Sequence, residues 1–174
     1  MNKKFLQPLT LLITFLVCAC AASIVAPLTI DVLKNAEYQS EFSANKKARL
    51  TNGSYQEEIA PGSASKLTIT LLDQYAIGDL NSDGVPDAAV ILATNSGGSG
   101  VFVDLAAVIN DKGTPKQTAS ATLGDRVQIK SVSISAGEIV VALVKQGPND
   151  PLCCPSQLVT LKFKLQGDKL TAVE

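Results

Sequence analysis

Residues 79–93 read DLNSDGVPDAAVILA, and this stretch joins an acidic loop directly to an apolar segment. Gly84 stands where such a loop must turn sharply, in a backbone conformation that other residues resist. Pro86 biases Val85 toward an extended conformation, so the loop is expected to run straight into a strand. Residues 88–93 carry no charge and form a shorter run than most helices, which indicates a buried strand. This junction therefore predicts a loop that leads directly into a buried strand.

The spacing of oxygen-bearing residues in the loop predicts a calcium site. Calcium takes six to eight oxygen ligands at about 2.3–2.6 Å. Four side chains and one backbone carbonyl would supply ligands here, those of Asp79, Asn81, Asp83, Asp87 and Val85. The loop is not an EF-hand, because Val90 stands where that motif carries a bidentate Glu. The alternative is an acidic Asn/Asp/Gly-rich turn that holds no ion.

Alternating apolar and polar residues recur along the rest of the chain. Residues 67–71 and 159–165 alternate cleanly and predict half-buried strands. Residues 87–94 are expected to pair with 101–109 across a Gly-rich connection. Residues 128–134 are expected to pair with 139–145. A bulge is expected near Lys130-Ser131, because the apolar residues change there from odd positions (127 and 129) to even positions (132 and 134).

The N-terminal part of the mature chain is expected to be more irregular. Residues 29–36 predict one short helix with Thr29 as the N-cap. Asn52-Gly53 predicts a hairpin between residues 48–51 and 55–58. The expected fold is mainly β, an antiparallel sheet of hairpins that is curled or sandwich-like, with one short N-terminal helix. An α+β fold is the alternative.

The first 22 residues are typical of a secretory signal peptide. Lys3 and Lys4 precede an apolar run, and small residues follow it. Either an ordinary signal peptidase cleaves there, or Val17–Cys20 acts as a bacterial lipobox with Cys20 as the lipidated first residue. Residues 23–174 would then form a single exported β-rich domain, periplasmic or held at the membrane as a lipoprotein. Membrane contact is expected only through such a lipid anchor.

The composition limits the chemistry of the protein. The chain has no His, which excludes His-based acid–base catalysis, Ser-His and Cys-His pairs and His-liganded metal sites. Its formal net charge of −1 gives no electrostatic footprint for nucleic acid. The only dense cluster of carboxylates in the sequence is in the loop, at Asp79, Asp83 and Asp87.

Cys153 and Cys154 are adjacent in a Pro-bounded loop. An oxidising compartment favours a disulfide, here a vicinal one. Adjacent trans residues have Cα atoms about 3.8 Å apart, less than the usual minimum for a disulfide, so such a bond would be strained and more reducible. The alternatives are a redox-sensitive or ligand-contacting ring, a pair that stiffens the loop, and two buried thiols.

Several segments resemble known proteins. The loop within GDLNSDGVPDAAV (78–90) is similar to the calcium loops of FG-GAP or integrin-type repeats, in which the last Asp is a ligand. This segment, together with four others, resembles a family of exported bacterial envelope proteins that has no established activity. The others are LKNAEY (33–38), GGSGVFVDLAAV (97–108), LGDRVQIKSV (123–132) and GPNDPLCCPSQ (147–157). The resemblance implies an envelope location and a β-rich fold, and it implies no substrate.

Three functions are compatible with these residues. The first is a non-catalytic, calcium-stabilised envelope module that binds an unidentified envelope or protein partner or has a structural role. The second is a metal-dependent hydrolase that uses Asp79, Asp83 and Asp87 with a metal-bound water. The third is a thiol redox protein that uses Cys153 and Cys154.

Overall fold

A computed structural model describes residues 25–151 and 154–173 of the chain. Residues 1–22, predicted to be a signal peptide, together with Cys20 and Cys153, lie outside the described residues, so the predictions for them stay predictions. The described chain is mainly β, with 59% of residues in strands and 3% in helix. The predicted fold class is therefore confirmed. Within the described residues, no helix is long and apolar enough to span a bilayer.

In the part of the chain that the structure describes, one short helix and eleven strands follow each other. Their bounds are α1 (Ile30–Leu33), β1 (Glu37–Gln39), β2 (Lys47–Arg49), β3 (Ser54–Glu58), β4 (Lys66–Gly78), β5 (Asp87–Asn95), β6 (Phe102–Asp111), β7 (Thr114–Asp125), β8 (Gln128–Ser135), β9 (Glu138–Lys145), β10 (Gln157–Gln166) and β11 (Lys169–Val173).

The strands form three antiparallel sheets. The largest has five strands in the order β3-β4-β5-β6-β7, so each strand pairs with its neighbour in sequence. The second has four strands in the order β11-β10-β9-β8, and the third is the β1-β2 pair. The predicted pairing of β5 with β6 is confirmed, and so is that of β8 with β9. The β8–β9 register shifts between Ile129 and Ser131, where the bulge was expected.

The five-stranded sheet is buried on both faces at its centre. One face packs on the four-stranded sheet through residues such as Ile91, Leu105 and Val141. The other face packs under the N-terminal segment through Val90 and Leu33, among others. β5 lies between these two cores, which explains its uninterrupted apolar sequence. The sandwich-like arrangement thus carries an additional N-terminal cover on one side.

The N-terminal cover differs in part from the prediction. Thr29 is the N-cap of α1 as expected, and its hydroxyl accepts a hydrogen bond from Val32 N at 3.3 Å. The predicted hairpin between residues 48–51 and 55–58 is wrong. β2 pairs with β1, and β3 pairs with β4; only a single bridge joins Thr51 to Ser54. The turn at Asn52-Gly53 is present, but the strands before and after it, β2 and β3, belong to two different sheets.

The end of β4 packs tightly against β8, and a glycine substitution there tests the contact. A Cβ added at Gly78 would lie 2.7 Å from Ile134 Cγ2 and 2.9 Å from Ile134 Cβ. We expect Gly78→Ala to lower the free energy of unfolding by about 1–3 kcal/mol, the usual effect of overpacking. Gly98→Ala is the matched control, because nothing lies within 4 Å of a Cβ at that position. Equal denaturant midpoints for the two variants would contradict the packing described here.

Candidate functional site

The acidic loop, residues 79–87, joins β4 to β5 and is stabilised by its own side chains. Asp79 Oδ1 accepts hydrogen bonds from Ser82 N at 2.7 Å and Asn81 N at 3.2 Å, and its Oδ2 accepts one from Gly84 N at 2.9 Å. These N–H donors, Gly84 first, lower the pKa of Asp79. Gly84 has a φ of +82°, as the sharp turn requires.

Asn81 and Asp83 are bonded to each other at the tip of the loop. Asn81 Nδ2 donates to Asp83 Oδ2 at 2.7 Å, and Asp83 N donates to Asn81 Oδ1 at 3.0 Å. Val85 N donates to Asp83 Oδ1 at 2.7 Å. Both oxygens of Asp83 therefore accept hydrogen bonds from groups within the loop.

Asp87 closes the loop from inside the protein. Its side chain is fully buried, with 0% exposure. Asp87 Oδ2 accepts a hydrogen bond from Leu80 N, and Oδ1 accepts one from Asn110 N, both at 2.9 Å. Burial raises the pKa of Asp87, the nearby charges of Asp83 and Asp79 raise it further, and the two N–H donors oppose this. The carboxylate ties the start of the loop and the end of β6 to the start of β5.

Asn110 extends this connection to the N-terminal segment. Its Nδ2 donates to Ala26 O at 2.9 Å and to Pro86 O at 3.4 Å. Its Oδ1 accepts a hydrogen bond from Gly113 N at 2.7 Å, which orders the turn between β6 and β7. Asp87 and Asn110 thus hold four separate parts of the chain together at one end of the sheet.

The side chains of the four predicted side-chain ligands all make hydrogen bonds to groups of the protein itself: Asp79, Asn81, Asp83 and Asp87. Among the residues that the structure describes, no three His, Cys, Asp or Glu side chains form a group that could hold a metal. A carboxylate oxygen has more than one lone pair, so its bond to an N–H does not exclude a cation. Calcium at Asp79, Asn81, Asp83, Val85 and Asp87 remains a prediction.

The cysteine loop is only partly described. Cys154 is disulfide-bonded in the structure. Because Cys153 lies outside the described residues, the vicinal pairing stays a prediction. Asp150 closes the same loop by accepting hydrogen bonds from Gly147 N at 2.8 Å, Ser156 N at 2.7 Å and Ser156 Oγ at 2.7 Å.

A cleft of about 650 Å³ lies on the face of the five-stranded sheet that carries the N-terminal cover. One wall is the connection between β1 and β2, which includes Phe42. The floor is formed by side chains of β4, β5, β6 and β7 beyond the edge of the cover: Ile69, Leu92, Thr94, Phe102, Asp104, Ser120 and Thr122. Its volume is in the range that small-molecule sites occupy. The sequence did not predict this cleft.

Asp104 is the acidic group of the cleft floor. Its Oδ1 accepts a hydrogen bond from Thr122 Oγ1 at 2.8 Å, across the β6–β7 pair. Burial raises the pKa of Asp104, and only the Thr122 hydroxyl opposes that shift. Among the described residues, no Lys or Arg forms an ion pair with this carboxylate. Asp104 thus presents a partly buried negative charge without a cationic partner.

Gln117 also lines the cleft, but its amide nitrogen is buried beneath the cleft surface. The residue lies on β7 and is 8% exposed. Its Oε1 accepts a hydrogen bond from Gln39 N at 2.8 Å, which fixes the amide against the β1 strand. Its Nε2 is buried without any hydrogen-bond partner among the described residues. Leaving a buried donor unsatisfied costs about 1–3 kcal/mol.

Aromatic rings close one end of the cleft. Phe42 and Phe102 stack with centroids 5.4 Å apart and planes inclined by 17°. Phe42 remains 46% exposed, so part of its apolar surface is open to a ligand. The cleft therefore combines an apolar surface with a small number of polar groups, as ligand sites do.

One sequence signal of this cleft was available. Residues 101–109 read VFVDLAAVI, and Asp104 is a carboxylate within this otherwise apolar run. A charge at such a position is unusual unless it is paired or functional. The contribution of Gln117 and Phe42 could not be found this way, because both depend on contacts with segments far away in sequence.

No protein-family model, curated protein or solved structure matches this chain.

The charge of Asp104 should reduce stability near neutral pH. A folded-state pKa above the ordinary value means that the folded protein binds the proton more tightly, so stability falls as pH rises through this range. We expect Asp104→Asn to raise the melting temperature at pH 7, because an amide removes the buried charge and can still accept from Thr122. The gain should fade as pH falls toward about 4, where carboxylates become protonated.

A pH series of thermal melts measures this effect. Asp168→Asn serves as the control, because Asp168 is exposed in the turn between β10 and β11 and its loss changes the net charge equally. A destabilised Asp104→Asn variant at pH 7 would contradict the account of this site.

Proposed function

We propose that the protein is a non-catalytic, calcium-stabilised module that is exported to the bacterial envelope and binds a partner there. One observation carries the non-catalytic part. Every carboxylate of the acidic loop accepts backbone N–H groups, and Asp87 is fully buried between the loop and β6. These side chains stabilise the fold, and they are the only dense carboxylate cluster in a chain without His.

The hydrolase alternative has less support than the module. A general acid or base must come within hydrogen-bond reach of the substrate. Asp87 has no exposed surface, and both of its oxygens are bonded to backbone N–H groups. Neither the cleft nor the smaller cavity beside Arg126 includes a residue of the acidic loop. Both observations favour a structural use of the cluster.

Calcium is proposed because of the charge that the loop concentrates. Asp79, Asp83 and Asp87 place three carboxylates within nine residues, and none forms an ion pair with a Lys or Arg in the described parts of the chain. A divalent cation would neutralise this like-charge repulsion. The loop supplies oxygen donors alone, which suits a hard cation such as calcium.

Export is proposed from the N-terminal sequence. The basic start, the apolar run and the small residues near residue 22 support a cleaved leader. The resemblance of residues 78–90 and 147–157 to an exported envelope family supports the same location. A lipid on Cys20 would hold the module at the membrane. Without this lipid, the module would be free in the periplasm.

Calcium should raise the melting temperature of the protein. Extracellular calcium modules bind at about 10⁻⁴–10⁻³ M. At 100 times the dissociation constant the stabilisation is about 2.7 kcal/mol, which corresponds to a shift of several degrees for a domain of this size. Thermal melts in excess EDTA and in about 10 mM calcium measure the shift. Identical melting temperatures in the two buffers would contradict the proposal.

Two variants locate the ion. Asp83→Ala removes a central ligand and should abolish most of the calcium-dependent shift. Asp168→Ala removes an exposed carboxylate outside the loop and should leave the shift unchanged. If Asp83→Ala kept the full shift, calcium would bind elsewhere.

A further inference from the structure

We propose that the cleft receives a lysine side chain of a protein partner, whose ammonium group binds Asp104 and whose methylene stem lies against Phe42 and Phe102. This inference rests on the proposed binding function, and it names the surface and the chemistry of the partner. Three features of the cleft support it: a carboxylate oxygen that a ligand can reach, an aromatic surface beside it, and room for a segment of chain.

One oxygen of the Asp104 carboxylate is open to solvent. Oδ1 accepts the hydrogen bond from Thr122, whereas Oδ2 accepts none from the residues that the structure describes. Among these residues, Gln117 Nε2 is the one buried side-chain nitrogen or oxygen that lacks a hydrogen-bond partner, so Asp104 Oδ2 is not buried. Because Asp104 is part of the cleft floor, a donor that enters the cleft can reach this oxygen.

No cation of the described chain neutralises this carboxylate. Two lysines line the cleft, but both amino groups are engaged elsewhere. Lys46 Nζ donates to Glu41 O at 2.8 Å, and Lys47 Nζ pairs with Glu37 Oε1 at 2.9 Å. The negative charge of Asp104 is therefore left for a partner, and a cation there would form a charge-assisted hydrogen bond.

The single open oxygen favours an ammonium group over a guanidinium group. A guanidinium binds a carboxylate most strongly as a fork, with one N–H group directed at each oxygen. At Asp104 such a fork would compete with the Thr122 hydroxyl for Oδ1. The ammonium group of lysine is a compact point charge and needs only Oδ2.

The stacked rings favour the same side chain. Phe102 and Asp104 are two residues apart on β6, so their side chains lie on the same face of the sheet. An ammonium group bound to Asp104 is thus close to an aromatic surface, which attracts cations. Phe42 stacks on Phe102 and is 46% exposed, so it offers apolar surface to the methylene stem of the lysine.

The size of the cleft favours a lysine within a chain over a free amine. Its volume of about 650 Å³ is in the range that holds a drug-sized ligand, which is larger than one lysine side chain. The cleft lies at the edge of the N-terminal cover, between the β1–β2 connection and the sheet. The residues beside the lysine in the partner can therefore occupy the rest of the cleft.

An NMR titration with blocked tripeptides tests the proposal. The lysine probe is acetyl-Ala-Lys-Ala-amide, and two matched probes carry Nε-acetyllysine or arginine at the centre. We expect the lysine probe to bind with a dissociation constant of about 1 mM or below and to shift the amide signals of Asp104 and Thr122. Acetylation of the lysine should weaken binding at least tenfold, and the arginine probe should bind more weakly than the lysine probe.

Three results of this titration would overturn the proposal. The first is equal binding of the lysine and acetyllysine probes, and the second is no binding of the lysine probe. The third comes from n-butylamine, which has the same stem and ammonium group without a backbone. If n-butylamine bound and the lysine probe did not, the cleft would admit a free amine and exclude a side chain that is attached to a chain.

Variants assign the two contacts. Asp104→Asn should weaken the lysine probe at least tenfold, whereas Asp168→Asn, which changes the net charge equally, should leave its affinity unchanged. Phe42→Leu keeps an apolar side chain but removes the ring, and should weaken the probe about two- to fivefold. Leu158→Ala changes an exposed apolar side chain on the other sheet and should have no effect.

A melting curve of each variant shows whether it is folded. If a folded Asp104→Asn variant bound the lysine probe as tightly as wild type, the proposal would be wrong. Wild-type affinity in a folded Phe42→Leu variant would contradict the contact between the lysine and the rings.

Failure of this inference differs from failure of the proposed function. A calcium-dependent melting shift without binding of the lysine probe would overturn only the assignment of the partner. Binding of the lysine probe without a calcium-dependent shift would overturn the calcium part of the proposed function and leave the cleft as the docking site.

Discussion

The buried carboxylate of Asp87 is the interaction on which the rest of the structure depends. Its two oxygens accept the amide hydrogens of Leu80 and Asn110, and so connect the start of the acidic loop and the end of β6 to the start of β5. Asn110 carries the connection on to the N-terminal segment at Ala26. A buried carboxylate is unfavourable unless its hydrogen bonds are made, so this arrangement holds only when all these segments are in place. The loop sequence thereby links the central strands to the cover that forms one wall of the cleft.

Much of the fold could be predicted from local patterns. The turn at Gly84, the strand after Pro86 and the bulge between Ile129 and Ser131 all follow from backbone preferences or from side-chain parity, which act over a few residues. β7 was not predicted, because it is an edge strand with polar residues and Pro115 in its sequence. Edge strands tolerate such residues and lose the alternation that identifies a strand. The hairpin at Asn52-Gly53 was predicted wrongly because a turn motif specifies a bend but not the sheet that each arm joins.

The acidic loop could be recognised in the sequence, whereas the cleft could not. The loop residues are neighbours in the chain, so their spacing alone indicates a shared role. The spacing does not indicate whether their side chains bind a cation or the backbone of the loop. The cleft is assembled from distant segments. Phe42 meets Phe102, and Gln117 meets Gln39, 78 residues away. Such contacts follow from the tertiary packing of the N-terminal cover. Asp104 and Gln117 also reduce stability, since one is a partly buried charge and the other an unsatisfied donor, and groups of this kind are concentrated at functional sites.

The central claim is that Asp87 holds the sheet and the loop together from the interior. Native-state hydrogen exchange of the amides of Leu80 and Asn110 measures this most directly, because both donate to the Asp87 carboxylate. The account predicts that these two amides exchange only through global unfolding, with the protection of the buried β5 amides. The amide of Ser82, which donates to Asp79 at the exposed tip of the loop, should exchange much faster. If Leu80 and Asn110 exchanged as fast as Ser82, Asp87 would not hold the structure together.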